Sequence, residues 1–250
     1  MTGSSVRARP IRAAGMLLLA AMPAIAQAGP GGDLSLEASS DQRRRGLSWS
    51  DGRQTIEAGV SVPLAGAFDL GLTASPLRGS ARHGGADGVA DLSLRYRHDL
   101  GLLSLSAGAT GHVFAGASEL SYAELDARLG FSLGPARLSA GTAYAPPQSA
   151  IGGDNLYLHA GFDIGVPGTP LSLYGHVGHS SGRVDDPVRA TRLRPENQYR
   201  DHAVGMDYAM GALTAGLRYT DTSITRTDPA APFMDRHVGA RLTGSLRFAF

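Results

Sequence analysis

A histidine and a serine lie two positions apart, at His179 and Ser181. Residues two apart on an extended strand point to the same face, so the imidazole could take the proton of the serine hydroxyl. Such a pair also needs a third group that orients the histidine. The chain downstream offers Leu193, with Glu196 and Asn197 nearby. We therefore favour a Ser- and Gly-rich loop entry that contains a histidine by chance, and keep hydrolysis as the alternative.

Other signals of catalysis or cofactor binding are absent from the sequence. It contains neither of the glycine-rich phosphate-binding motifs GxGxxG and GxxxxGK[ST]. His176 and His179 have the only spacing a metal could use, but three positions apart on a strand places them on opposite faces. Zero Cys excludes disulfides, Cys-ligated metals and thiol catalysis. We expect no cofactor, no metal and no enzymatic activity.

Charged residues of both signs alternate with apolar residues. In 123–133, Glu124, Asp126 and Arg128 alternate with Ala and Leu. On a strand the charges share one face and the apolar residues share the other. Two interpretations of an enclosed charged face stay open: a narrow wet channel for small solutes, or charges that pair across the interior and plug it. The residues predicted to line this interior are Glu57, Asp91, Arg95, Arg97, Glu124, Asp126, Arg128, Asp163, Arg218, Arg241 and Arg247.

Four of these residues suggest an ion preference. Arg95, Arg97, Arg241 and Arg247 are interpreted as a basic cluster that would favour anions. Salt bridges to nearby acids such as Asp91 are the alternative.

Length and composition limit the class of protein. The 250 residues include 42% hydrophobic residues, and the formal net charge is +1. These values argue against a long disordered chain, and 23 basic against 22 acidic residues, without a basic block, argue against a nucleic-acid binder. No apolar run after residue 30 approaches the roughly 20 residues of a membrane-spanning helix.

The first 28 residues resemble a secretory signal. Three arginines precede an apolar stretch over 13–26, and the Ala-Gln-Ala sequence at 26–28 fits the small-x-small cleavage rule. We predict that residues 1–28 are removed during export and that 29–250 form one domain.

Past residue 30 the apolar residues recur with a period of two, which is typical of strands. A soluble sandwich also alternates, but its strands are usually about 5–6 residues long, whereas membrane-spanning strands need roughly 9–11. Several segments here are of the longer kind. The pattern predicts an all-β, transmembrane antiparallel up-and-down barrel, with an even strand number as in single-chain bacterial barrels. The twelve predicted strands are 33–46, 54–64, 68–76, 87–99, 102–114, 120–133, 136–145, 155–165, 171–180, 199–210, 212–221 and 236–250.

Short and long connections alternate along the chain. Tight ones such as 65–67 and Gly211 alternate with long polar ones such as 77–86 and 181–198. Outer-membrane barrels have short periplasmic turns and longer extracellular loops. The alternation therefore predicts an outer-membrane location with lipid and lipopolysaccharide as surroundings. One long loop carries four arginines, which are Arg189, Arg192, Arg194 and Arg200. We expect this loop to be solvated, and contact of its arginines with lipopolysaccharide phosphates is the alternative.

Aromatic residues are expected at both rims of such a barrel. The terminal Phe250 shares a face with Phe248 and Leu246, and resembles the signal that the outer-membrane assembly machinery reads. The periplasmic rim is predicted to carry Phe68, Phe131, Phe162, Tyr208, Phe248 and Phe250, and the outer rim Tyr144 and Tyr219.

The stretch Arg45-Gly46-Leu47-Ser48-Trp49-Ser50-Asp51-Gly52 resembles the opening of the TorF-type porin family. The motif residues are Arg45, Gly46, Ser48 and Asp51. The sequence departs from that family at Arg43-Arg44, where an aromatic is usual, and at Trp49-Ser50 in place of Gln-Thr. The resemblance implies an outer-membrane barrel and a channel.

The His179–Ser181 pair is similar to one in two other outer-membrane barrels, phospholipase A and lipid A deacylase. Those enzymes carry Asn or Glu where this chain has Leu193. The favoured function is therefore passive passage of small polar solutes or ions. A non-conducting structural or adhesion barrel is the first alternative, and an outer-membrane lipase is the less favoured one.

Overall fold

Twelve strands close into one antiparallel barrel, because the first strand of the barrel pairs with both the second and the last. The computed structural model describes residues 32–225, 232–234 and 236–250. The predicted fold class and strand number are confirmed, while the predicted signal sequence 1–28 lies outside the described residues. The barrel strands are β1 (Asp33–Ser39), β4 (Thr55–Pro63), β5 (Phe68–Pro76), β6 (Gly88–Leu100), β7 (Leu103–Ala115), β8 (Tyr122–Leu133), β9 (Ala136–Gln148), β10 (Gly153–Gly165), β11 (Leu171–Ser181), β12 (Tyr199–Met210), β13 (Leu213–Thr222) and β14 (Arg241–Ala249). Two short strands, β2 (Arg43–Arg44) and β3 (Leu47–Ser48), pair only with each other.

The apolar face of the barrel points outward. Leu92 on β6 is 54% exposed, whereas the preceding Asp91 is buried. A contiguous exposed apolar surface of this extent is rare on a soluble monomer and is normal for a membrane-spanning barrel. Further members of this belt are Leu70, Leu94, Leu105, Leu125, Leu129, Leu158, Leu173, Val204, Met206, Leu217 and Leu246. None of the helices described is long and apolar enough to cross a membrane.

Exposed aromatic side chains lie near both ends of the belt. Phe68 packs on Tyr96 with ring centroids 5.2 Å apart, and Phe248 packs on Phe250 at 4.6 Å. Tyr144 on β9 and Tyr219 on β13 are exposed at the other end of the barrel, away from these two pairs. Aromatic side chains at both ends of an apolar outer surface are typical of membrane barrels.

The connections fall into two sets. The short turns, such as 64–67 and 101–102, lie at the end of the barrel where β1 begins and β14 ends, called here the short-turn end. The long connections lie at the opposite, long-loop end. They contain 3-10 helices at Ala81–His83, Ser118–Leu120 and Ser149–Ile151, and a short helix α1 (Pro187–Ala190).

The first strand is shorter than predicted. β1 ends at Ser39 instead of residue 46, and β14 begins at Arg241 instead of residue 236. Continued alternation from Leu36 would have placed the charged Arg44 on the apolar, outward-facing side of the barrel. Residues 40–54 turn into the barrel instead. We call this segment the lumen hairpin.

Candidate functional site

The motif that resembles the TorF-type family forms the turn of the lumen hairpin. Arg45 and Gly46 lie between β2 and β3 with φ of 51° and 75°, the conformation of a two-residue type I′ turn. A Cβ at Gly46 would lie 2.5 Å from Thr222 Cγ2, so glycine permits a close approach to β13. Tyr199 holds the turn by donating its hydroxyl to the Arg45 carbonyl at 2.9 Å.

The rest of the motif fastens the base of the hairpin. Ser48 donates its hydroxyl to an Asp41 carboxylate oxygen at 2.6 Å and accepts the Gly52 N–H at 2.8 Å. Asp51 pairs with Arg53 at 2.9 Å. The motif residues thus shape the hairpin, and Arg45 alone among them projects a charge onto the barrel wall.

Three consecutive arginines of the hairpin each meet a carboxylate. Arg45 contacts Glu124 on β8 at 2.7 Å, and Arg43 contacts Asp41 at 3.1 Å. Arg44 pairs with Asp91 on β6 and with Glu57 on β4 at 3.3 Å. The sequence analysis did not name Arg43 and Arg44 as lining residues, because the pattern predicted one continuous strand over 33–46 and no hairpin inside the lumen.

The long loops meet in a hydrophobic cluster at the long-loop end of the lumen. Trp49 of the lumen hairpin lies 4.5 Å from His83 and 6.0 Å from Phe114, measured between ring centroids. Strand ends and five connections contribute, so the cluster joins segments far apart in sequence. We call it the loop core, and its buried members are Trp49, Leu77, Ala86, Val89, Phe114, Ala117, Leu120, Tyr122, Ala145, Ala150, Ile151 and Leu193.

Arg192 ties the loops of this core together. Its side chain is 0% exposed and donates to the carbonyls of Leu120 at 2.9 Å, Arg82 at 3.3 Å and Ala150. Its guanidinium also lies 5.0 Å from the Phe114 ring centroid. Burial, together with the nearby positive charge of other arginines, lowers the pKa of Arg192 to about 10, so it stays charged at neutral pH.

Two of the four arginines proposed to contact lipopolysaccharide are buried. Arg192 and Arg194 are 0% and 1% exposed, so neither the expected solvated loop nor the alternative lipopolysaccharide contact applies to these two residues. Asp186 caps α1 by accepting the N–H groups of Val188 and Arg189, and the chain after the helix turns inward. Arg192 donates to the Leu120 carbonyl of another loop, and Arg194 donates to the Arg183 carbonyl of its own loop. Arg189 and Arg200 are the remaining candidates for that contact, which stays a prediction.

His83 makes the loop core sensitive to acid. Its ring stacks on Phe114 at 4.9 Å, and neither ring nitrogen has a hydrogen-bond partner in the described part of the chain. Burial, reinforced by Arg192 and Arg82, lowers the pKa of His83 well below 6.5. In a loosened core, His83 binds a proton at its ordinary pKa of 6.5, whereas in the packed core it stays neutral to a lower pH. Protonation of His83 therefore favours the loosened core, and the packed core should lose stability as pH falls below 6.5.

Trp49 is the only tryptophan in the chain, so its emission reports this core directly. We expect a red shift on acidification from about pH 8 to about pH 5. His83→Phe should flatten the profile, and His112→Gln, whose ring lies 6.0 Å from Trp49, tests the other nearby histidine. An unchanged profile in His83→Phe would contradict the assignment.

Beneath the loop core the lumen is polar and hollow. A cavity of about 770 Å³ extends along β6 to β10 as far as Asp99, one residue from the end of β6 at the short-turn end. Arg95 on its wall pairs with Asp126 at 3.3 Å. A second cavity, of about 230 Å³, lies beside β13 and β14, where Arg247 pairs with Glu37 at 2.6 Å. The charged lining of the larger cavity is Arg45, Arg95, Arg97, Asp99, Asp126, Arg128, Arg137 and Asp163.

The structure divides the predicted lining residues among four places. Glu57, Asp91 and Glu124 hold the lumen hairpin. Arg95, Arg97, Asp126, Arg128 and Asp163 line the larger cavity, and Arg218 and Arg247 line the smaller one with Glu57. Arg241 lies at the long-loop end and donates to the Gly52 carbonyl at 3.3 Å.

The predicted basic cluster does not form. Arg95 and Arg97 lie on β6, while Arg241 and Arg247 lie on β14, with β5, β4 and β1 between them. The sequence predicts which face of a strand a residue occupies. It does not predict how far apart two strands lie around the barrel, because that distance depends on the closure of β1 against β14.

The His179–Ser181 pair lies on β11 with its side chains on the same face as the exposed Val177. Among the residues the structure describes, no hydrogen bond joins the two side chains, and the buried His179 Nδ1 has no partner. Leu193 belongs to the loop core, and Glu196 accepts from the Thr225 N–H at 3.0 Å. The pair therefore lacks the orienting group that hydrolysis needs.

No group of three or more metal-binding side chains comes together within residues 32–225, 232–234 and 236–250. The chemistry that the site offers is electrostatic, since arginines and carboxylates line the wall of a polar cavity.

Solved structures share the fold of this chain. The KdgM porin superposes with a TM-score of 0.57 at 8% identity, over 87% of this chain and 99% of that one. A membrane protein from a study of in-meso crystallization gives 0.50 at 10% identity, over 88% and 83% of the two chains. LpxR from Salmonella typhimurium gives 0.48 at 10% identity, over 87% and 99%. The chain has the fold of a porin-like outer-membrane barrel.

The family follows from the sequence. A family model described as "Bacterial protein of unknown function (Gcw_chp)" matches residues 31–238, and the chain belongs to this family. No curated protein matches the chain. The TorF-type name stays a resemblance based on the hairpin motif.

Proposed function

We propose that the chain is an outer-membrane channel for small polar solutes or ions, with the loop core as its closed outer end. In this orientation the long loops face outside and the short turns face the periplasm. The lumen hairpin and the loop core must move for a solute to pass. The exported chain, 29–250, forms this channel after loss of the predicted signal sequence.

The observation that carries the proposal is the large polar cavity. A barrel with a purely structural role has no need of a 770 Å³ space lined by charged side chains, since burying charge is costly unless it is paired or hydrated. Arg97, Arg128 and Arg137 lie on this wall without an ion pair among the described residues. They require water, which a conducting lumen supplies.

The loop core favours a second function, that of a non-conducting structural barrel. Trp49, Phe114 and Leu120 are buried across the outer end, and Arg192 binds three loops there. If the loop core never opens, the outer end of the barrel stays closed and the barrel does not conduct.

Planar-bilayer conductance tests the two functions. The full chain is expressed, and the folded barrel is purified and checked by heat-modifiable gel mobility. We expect discrete conductance steps that scale with salt concentration and become more frequent in acid, as His83 loosens the core. A folded barrel without steps at any pH would reject the channel and favour the structural barrel.

We further propose that the terminal Phe250 is read by the outer-membrane assembly machinery. Its side chain is 70% exposed, and the wall contact is made by its backbone N–H, which donates to the Leu34 carbonyl at 2.9 Å. Phe250→Ala should therefore leave refolding in detergent unchanged and lower the amount of folded barrel in cells. Equal cellular amounts of Phe250→Ala and wild type would contradict this role. Phe131→Ala, which removes another exposed aromatic at the same end of the barrel, serves as the matched control.

A further inference from the structure

We propose that Arg97, Arg128 and Arg137 form a binding site for small dianionic solutes, an inference that rests on the channel proposed above. The site would select dicarboxylates or phosphate from among the polar solutes that enter the lumen. We call these three residues the arginine triad.

Strand register places two members of the triad on either side of one serine. Arg97 on β6 pairs with Ser106 on β7, and Ser106 pairs with Arg128 on β8. The two arginines are therefore two strand spacings apart, about 10 Å between Cα atoms. The short side chain of Ser106 leaves open space between their longer ones.

The third member reaches the same place from β9. Arg137 Nη2 donates to Ser104 Oγ at 2.8 Å, and Ser104 is the next inward residue along β7 from Ser106. The side chain crosses Gly130 of β8, where a Cβ would lie 2.8 Å from Arg137 Nη2. Gly130 thus allows a guanidinium from β9 to lie beside the space between Arg97 and Arg128.

The triad differs from the other lumen arginines in its partners. Arg45, Arg95 and Arg247 lie 2.7, 3.3 and 2.6 Å from carboxylates. Within the described ranges, no acidic side chain lies within ion-pair distance of any triad member. Asp163 lies opposite Arg137 in the register of β9 and β10, and Asp99 lies opposite Ser104 in the register of β6 and β7. Three arginines beside two aspartates leave a net positive charge at the triad.

The geometry points to a ligand with two anionic groups. A guanidinium fork matches the oxygens of carboxylate or phosphate and binds them in bidentate fashion. A single chloride would engage one guanidinium, whereas a dianion held between Arg97 and Arg128 satisfies two and remains in reach of Arg137. The cavity of about 770 Å³ accommodates a small dicarboxylate or a phosphate with its water.

Equilibrium dialysis of the detergent-purified barrel tests the site, with succinate, inorganic phosphate and acetate as probes at low salt. We expect saturable binding of succinate, of phosphate or of both, at least about tenfold tighter than acetate, which corresponds to 1.4 kcal/mol. The double variant Arg97→Gln/Arg128→Gln should lose about tenfold or more. Arg218→Gln/Arg247→Gln removes the same charge from the opposite wall and should retain the binding.

Each result decides the proposal. Binding of succinate alone, or of phosphate alone, supports the site and identifies which dianion it takes. Equal binding of acetate, equal loss in the two double variants, or absence of saturable binding would overturn it. Because dialysis does not depend on conductance, a barrel that binds succinate but gives no bilayer steps rejects the channel and retains the site.

Discussion

Replacing Arg192 by Met should expose Trp49 to solvent and increase conductance, with the barrel itself still folded. The substitution keeps an apolar side chain of similar length but leaves carbonyls of Leu120, Ala150 and Arg82 without their donor. Orphaned buried acceptors cost about 1–3 kcal/mol each, which exceeds the packing that Met restores. The loops lose their shared partner, so the loop core loosens while the strand ladder stays paired.

Tryptophan emission, acrylamide quenching and bilayer conductance measure this effect, and heat-modifiable mobility reports the barrel separately. Arg183→Met is the matched control, since Arg183 lies in the same loop with an exposed side chain that contacts Asp185. Equal emission and quenching in the two variants would contradict the role of Arg192.

The second large effect is expected from Arg45→Met, which should release the lumen hairpin. Arg45 contacts both Glu124 oxygens, at 2.7 and 2.8 Å, and lies 4.6 Å from the Tyr157 ring centroid. Burial alone would lower the pKa of Arg45, but Glu124 holds it above its ordinary value. Removing one partner of a buried pair costs about 3–5 kcal/mol, because the other charge loses its counterion. Glu124 would keep only His112 Nε2, at 3.6 Å.

The urea midpoint of Trp49 emission measures the loss, and conductance reports whether the hairpin leaves the lumen. The double variant Arg45→Met/Glu124→Met removes both charges and should recover most of the stability. A double variant as unstable as the single one would show that the ion pair does not hold the hairpin.

The strand pattern was predictable because it depends on near neighbours. β5 and β12 have the predicted bounds, 68–76 and 199–210, since alternation of apolar and polar residues is a local property. Alternation also predicts the face, so that Arg95, Asp126 and Arg128 occur together on one cavity wall. The prediction failed at β1, where the charge of residues 43–45 overrode the period of two.

Ion pairs between residues of different strands could not be predicted from the local alternation of apolar and polar residues. Arg95 reaches Asp126 across β7, and Arg247 reaches Glu37 through barrel closure, which joins the two ends of the chain. The proposed cluster of Arg95, Arg97, Arg241 and Arg247 failed because register and closure, not composition, set the distance between strands.

The sequence by itself determined the barrel, its strand number, its lipid-facing belt and the polarity of its interior, because these follow from a period of two and from the lengths of connections. The tertiary structure alone decided which charges pair, and that residues 40–54 turn into the lumen. It also decided the burial of Arg192, whose carbonyl partners lie 42, 72 and 110 positions away. Such partners meet only once the loops have converged, and no local pattern records that convergence.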